Sequence, residues 1–289
     1  MAGADPFIEV PANKPQNLEV AFLSPTPIDI SRLQCHAQGY DANKLQFILN
    51  GFTWGFQLHY TGPRTARNSK KLRSALAHPA FVSQKINLEI VEQRVAGPFK
   101  SPPFENLIVS PIGLVPKKFS DPNTPDVKKF RMIHHLSFPE GESVNDYIDP
   151  KLTSVQYTGF DEAVAMIQRL GKNCKLFKMD IKNAFRLIPI RPADFELLGF
   201  KHKDQYFFDK VLPFGAAISC STWETFSTLL EYCVKNKMAS GELLHYLDDF
   251  LGGDTTMQGC SVLMHLFKST MLDIKVPIAE EKTEGPTEI

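Results

Sequence analysis

The stretch His245-Tyr246-Leu247-Asp248-Asp249-Phe250 limits what this chain can fold into more than any other. Two adjacent carboxylates stand inside an apolar run that reaches from Leu243 to Leu251. Taking an ionised carboxylate out of water is strongly unfavourable unless a cation or hydrogen bonds compensate it. The run is too short for a long helix, and Gly252-Gly253 follows it. A β-hairpin with Asp248 and Asp249 near its tip is therefore expected. Such a pair suits a hard divalent cation bound through oxygen. The plainer reading is a solvated Asp-Asp turn, since turns favour Asp.

A second isolated carboxylate weighs against that plainer reading. Phe177-Lys178-Met179-Asp180 ends another apolar, strand-like run. The two settings together match a pattern. Tyr246-Leu247-Asp248-Asp249 resembles the Tyr-x-Asp-Asp box of reverse transcriptases. Asp180-Ile181-Lys182-Asn183-Ala184-Phe185 resembles the block that carries their third catalytic aspartate. With further matches the resemblance covers about residues 97–285, and it is strongest to the polymerases of DIRS-like, tyrosine-recombinase-encoding retrotransposons.

The resemblance implies an α+β fold: the fingers and palm of a right-hand polymerase, with an antiparallel palm sheet and helices packed on one face. Residues 1–96 would form an N-terminal arm with support helices, and residues 97–289 the reverse transcriptase domain. The primer-gripping turn, thumb and RNase H elements of the family have no counterpart before Ile289. The implied activity is RNA-directed DNA polymerisation, with dNTPs and a primed RNA or DNA template as partners. Asp180, Asp248 and Asp249 would hold two Mg²⁺ ions, with Mn²⁺ as an alternative, about 4 Å apart. Asp249 would complete or orient the cluster, and Tyr246 would flank the primer end.

Other segments extend the match. Residues 110–131 read as strand, turn and strand, and resemble the fingers hairpin that closes on the incoming nucleotide. Arg131 can fork two hydrogen bonds to phosphate oxygens, and Lys117 or Lys118 would add a point charge. Phe185 stands five residues past Asp180, where an aromatic ring in the family excludes a sugar 2′-hydroxyl. A place in the apolar core is the alternative for a Phe in a chain that has 22 of them. Leu212-Pro213-Phe214-Gly215 resembles the family's Leu-Pro-x-Gly block beneath the nascent base pair. Phe214 stands where retroviral relatives carry Gln, and Gly215 permits close backbone approach. Ile218-Ser219-Cys220-Ser221 departs from the family's usual run. Residues 279–283 match a later block whose lysine, here Lys282, can sit near the pyrophosphate leaving group.

The remaining segments read as scaffold. Five prolines in residues 1–30 suggest an extended arm. Residues 30–40 read as a short helix ending at Gly39. Residues 45–60, punctuated by Gly51 and Gly55, read as a loop with aromatic anchors. Val82, Ile86 and Ile90 recur every four residues, which predicts one helix face running on to Gly97-Pro98. Residues 161–170 and 219–237 read as helices, and residues 197–208 as a hairpin turning at Lys203-Asp204. In a helix over residues 255–272, Val262, Leu266, Phe267 and Met271 are the expected buried positions. His134-His135 lacks a third ligand at metal spacing, so a structural role is expected.

Composition bounds the function classes. Hydrophobic residues make up 43% and charged residues 22%, which excludes a disordered chain. The formal net charge is zero, unlike the clearly basic balance of many nucleic-acid binders. Basic residues nevertheless cluster at residues 64–73 and 117–131. The five cysteines have no metal-ligand spacing, which points to reduced thiols. The sequence carries no apolar run of transmembrane length and no signal-peptide pattern at Met1. An intracellular protein, cytoplasmic or nuclear, without membrane contact is expected. Three rival readings stay open: an inactive nucleic-acid-binding relative, a metal-dependent hydrolase, and an interaction domain with an incidental Asp-Asp turn.

Overall fold

The computed structural model describes residues 26–70, 72–116 and 130–288. The proline-rich arm before residue 26, Lys117, Lys118 and the loop at residues 121–125 lie outside the described residues.

Helix α1 (Ile30–His36) starts where the Asp29 side chain accepts from the Arg32 amide, and α2 (Ala42–Trp54) where Asp41 accepts from Lys44. Such side-chain caps satisfy amides that no helical carbonyl can reach. The loop expected over residues 45–60 is thus largely helix. Gly51 does not break it. A methyl group there would lie 2.3 Å from the Phe56 ring, so the missing side chain makes room for an aromatic contact. Strand β1 (Arg67–Asn68), α3 (Arg73–Ala77) and α4 (Pro79–Val91) follow. Pro79 opens α4 at the position that needs no amide donor. The expected run on to Gly97 is cut short. Gln93 takes a left-handed φ of 58°, and Val95 begins β2 (Val95–Phe99).

Strands β3 (Ile108–Val109), β4 (Ile112–Pro116) and β5 (Phe130–His134) come next. The last two pair antiparallel as the expected fingers hairpin, with Val115 opposite Arg131. Helix α5 (Phe160–Leu170) has Glu162 accepting from the Gly159 amide. It leads into β6 (Lys175–Asp180), which ends on the predicted carboxylate. Strands β7 (Gly199–His202) and β8 (Gln205–Asp209) form the predicted hairpin, with Lys203 and Asp204 both at positive φ. Helix α6 (Ser219–Lys235) then leads to β9 (Glu242–Tyr246) and β10 (Asp249–Asp254). Helix α7 (Met257–Ile274) and β11 (Glu284–Glu288) complete the described chain. In α7, Phe267 and Met271 are buried and Leu266 packs against the core as expected, whereas Val262 is exposed and Leu263 takes the inward place.

Two sheets organise the site. One has the order β1-β3-β7-β8-β2, and the other β11-β6-β10-β9. Strand alternation divides the second sheet. Phe177, Met179, Leu243 and Phe250 join the main core with residues of α6 and α7, such as Phe226 and Phe267. On the opposite face, α5 covers only the end built from Leu176, Leu244 and Leu251. The rest of that face carries the partly exposed Lys178 and Asp249 and the buried Asp180. Residues ahead of 97, including Leu33, Ile48 and Phe52, share the main core with the sheet.

Candidate active site

Sheet register brings the predicted acids together. Asp249 of β10 is the direct antiparallel partner of Asp180 on β6. Such partners have Cα atoms roughly 5 Å apart and side chains on one face. Asp248 lies in the turn, and its carbonyl accepts from the Ile181 amide at 2.8 Å. The tip is held from behind, where Ser227 Oγ of α6 donates to the Leu247 carbonyl. Leu247 itself takes a φ of 53°.

The three carboxylates differ in setting. Asp180 is 5% exposed, and its Oδ2 lies 2.6 Å from Lys282 Nζ. Asp249 is half-exposed, and its Oδ1 lies 3.2 Å from Lys178 Nζ. Burial pushes the Asp248 carboxyl above its usual range, and the neighbouring charges of Asp180 and Asp249 push it the same way. Mutual repulsion among carboxylates is what a cation would relieve. Among the described residues, however, no three His, Cys, Asp or Glu side chains are gathered into a ready-made metal-coordinating group. Two of the acids are engaged by lysines instead.

Asp180, Asp248 and Lys282 edge a cleft of about 300 Å³. Arg131, Phe185 and Phe214 also line it. The Arg131 guanidinium lies 4.8 Å from the centre of the Phe214 ring, a cation–π contact, and the Phe185 ring lies 5.4 Å from Phe214. Arg131 is thereby braced beside the aromatic pair. Gly215 takes a φ of 126°, and a methyl group there would stand 1.9 Å from the His134 carbonyl oxygen. This approach seats the Phe214 backbone against β5, where the His134 amide donates to the Phe214 carbonyl at 2.8 Å.

Tyr246 lies outside the cleft. It is 51% exposed, and its ring lies 5.2 Å from that of Tyr157. Lys117 and Lys118 fall outside the described residues. His134 is buried between the Asp209 carboxylate and the Gly199 carbonyl, a structural setting as expected.

Sequence reasoning passed over Lys85, Glu89, Arg186 and Asp209, all of which line the cleft. A signal existed for one of them. Arg186 is the lone charge in the run Ala184-Phe185-Arg186-Leu187-Ile188, and its burial demands a counter-charge. Lys85 and Glu89 lie one helical turn apart on α4 and read as an ordinary polar face.

Comparison with known proteins bears on the family and the fold. The sequence profile described as reverse transcriptase (RNA-dependent DNA polymerase) matches residues 115–287. No curated protein shows a significant match. Among solved structures, a prototype foamy virus protease–reverse transcriptase mutant aligns with a TM-score of 0.57 at 18% identity, over 78% of this chain and 26% of that one. A foamy viral protease–reverse transcriptase in complex with double-stranded DNA gives 0.58 at 16% identity, over 94% and 45%. A form in complex with an RNA/DNA hybrid gives 0.56 at 16%, over 88% and 33%. The chain spans under half the length of each, and the likeness establishes the fingers-and-palm fold. With the profile covering more than half of its residues, the chain belongs to the reverse transcriptase (RNA-dependent DNA polymerase) family.

Proposed function

We propose that this chain catalyses template-directed addition of deoxynucleotides to a primer 3′-hydroxyl, with RNA as a template, and that it comes from a DIRS-like retrotransposon. One observation carries the catalytic reading. The register of β6 against β10 puts Asp180 opposite Asp249, and the Ile181–Asp248 hydrogen bond draws the third acid to the same edge of the cleft. Phe214, in place of the retroviral Gln, supports the DIRS-like assignment.

Asp180 and Asp248 would hold divalent cations, which suits their oxygen donors and the strained ionisation of Asp248. When bound, Mg²⁺ would supply activation of the primer hydroxyl and neutralisation of the triphosphate. The chain's own groups do the remaining work. Arg131, braced on Phe214, offers its fork to phosphate oxygens. Phe185 closes the space that a 2′-hydroxyl would need. Lys282 sits at Asp180 and can exchange that carboxylate for the departing pyrophosphate. Asp249, paired with Lys178, would complete or orient the cluster.

The test is extension of a primed RNA template by wild type and by Asp248→Asn. Incorporation by the variant should fall by a factor on the order of 100 or more. Equal incorporation would overturn the reading. A second reading, an inactive nucleic-acid binder, draws on the lysine pairing of Asp180 and Asp249. Template binding by wild type without any extension would favour it.

A further inference from the structure

Arg186 directly follows Phe185 in the short 3₁₀ turn Ala184–Leu187. Its guanidinium is buried, so the charge must be matched from within the protein. Two acids from distant elements do this. Asp209 at the end of β8 accepts from Nη2 at 2.7 Å. Glu89 Oε2 on α4 accepts from Nε at 2.9 Å and from Nη2 at 2.8 Å. Glu89 is held in turn by Arg94, whose Nε lies 2.8 Å from the same oxygen. The other oxygen of Asp209 meets His134 Nδ1 at 3.0 Å, and the His134 backbone is tied to Phe214. The network therefore spans from α4 to both aromatic residues of the cleft. Glu89 lies before residue 115, outside the segment that matches the family profile.

We propose that Glu89 is a positioning residue for the nucleotide cleft: through Arg186 it sets where the Phe185 ring stands, and so how strictly the site separates deoxyribonucleotides from ribonucleotides. Nη2 is shared between the two acids, and Nη1 faces the carbonyls of Val211 and Leu212 at 3.5 and 3.3 Å. Without the Glu89 charge, Asp209 is the one acid left to the guanidinium, and the turn that carries Phe185 shifts with it. Burial works to raise the Glu89 carboxyl, but Arg186 and Arg94 outweigh it and hold the group at about 2. The acid is thus fully ionised whenever the enzyme works. α4 belongs to the site and is more than a support.

The inference rests on the polymerase reading. The test measures dNTP against rNTP incorporation, and KM for dNTP and for primer–template, in wild type, Glu89→Gln, Phe185→Ala and the double variant. Glu89→Gln should lower the dNTP/rNTP ratio by on the order of tenfold and raise KM for dNTP, with KM for primer–template within about twofold. In the Phe185→Ala background, Glu89→Gln should change the ratio no further. A ratio and a KM do not depend on how much protein folds. Should Glu89→Gln give no soluble protein, Glu89→Asp, which draws the charge back by one methylene, carries the test with the same expected direction. An unchanged ratio in an active variant, or an equal drop in the Phe185→Ala background, overturns the inference alone. A wild type that extends no primer overturns the polymerase reading, and this inference with it.

Discussion

Raising the pH should loosen the hairpin that carries Asp248 and Asp249 through His245. This buried residue stands three positions before Asp248 on β9, between two acids of α6. Its Nε2 lies 3.0 Å from Glu224 Oε1, and its Nδ1 meets Glu231. Burial works against the charged imidazole, but Glu224 and Glu231 prevail and raise His245 from 6.5 to about 9. That displacement is worth about 3 kcal/mol, counted once, because the lowered carboxyl of Glu231 reports the same contact from the other side. The folded-state value lies above the unfolded one. The stabilisation is therefore complete below pH 6.5 and is lost as pH rises through about 9. On the acid side it fades as Glu231 protonates, below the ordinary 4.5. Linkage gives about 3 kcal/mol near pH 6, about 2 near pH 7.5 and under about 1 near pH 9. The assay is urea unfolding of wild type and His245→Gln across that range. Glutamine lacks the charge at every pH, so the gap between the proteins should shrink by about 3 kcal/mol from pH 6 to pH 9. A gap that stays constant to within about 1 kcal/mol would refute the reasoning.

Two further outcomes follow from the cleft. Gly215→Ala would place a methyl group 1.9 Å from the His134 carbonyl at a φ of 126°. Backbone strain of about 1–3 kcal/mol then adds to the displacement of β5, so denaturant unfolding should show a loss of about 3 kcal/mol or more; a loss under about 1 kcal/mol would mean that the close approach is not needed. Phe185→Ala should admit ribonucleotides, lowering the dNTP/rNTP incorporation ratio by at least about tenfold in primer extension. An unchanged ratio would return Phe185 to the role of a packing residue beside Phe214.

The acids were legible in the sequence through their apolar settings together with the resemblance of both blocks to the reverse transcriptase motifs. Asp248, Asp249 and Asp180 interrupt apolar runs, and a carboxylate in such a run announces its need for a partner. Strand alternation then puts Asp249 and Asp180 on one face, opposite the core residues Phe250 and Met179, while the register that makes them direct partners is seen only in the fold. Elements that depend on distant contacts were less readable. Gly51 and Gly55 suggest a loop until Phe56 is seen to use the space over Gly51. Val91 and Val95 continue the spacing of α4, and only the left-handed turn at Gln93 shows where the helix yields to β2. The Arg186 network marks the limit most sharply. The run around residue 186 shows that a buried cation requires an anion, but Glu89 is 97 positions away and looks like any polar residue on a surface helix. A sequence discloses the requirement for a counter-charge, whereas the choice among its acids is made by packing. Residues that act through others are therefore the ones that sequence motifs overlook, and in this chain they cluster behind the cleft, where α4 meets the turn that carries Phe185.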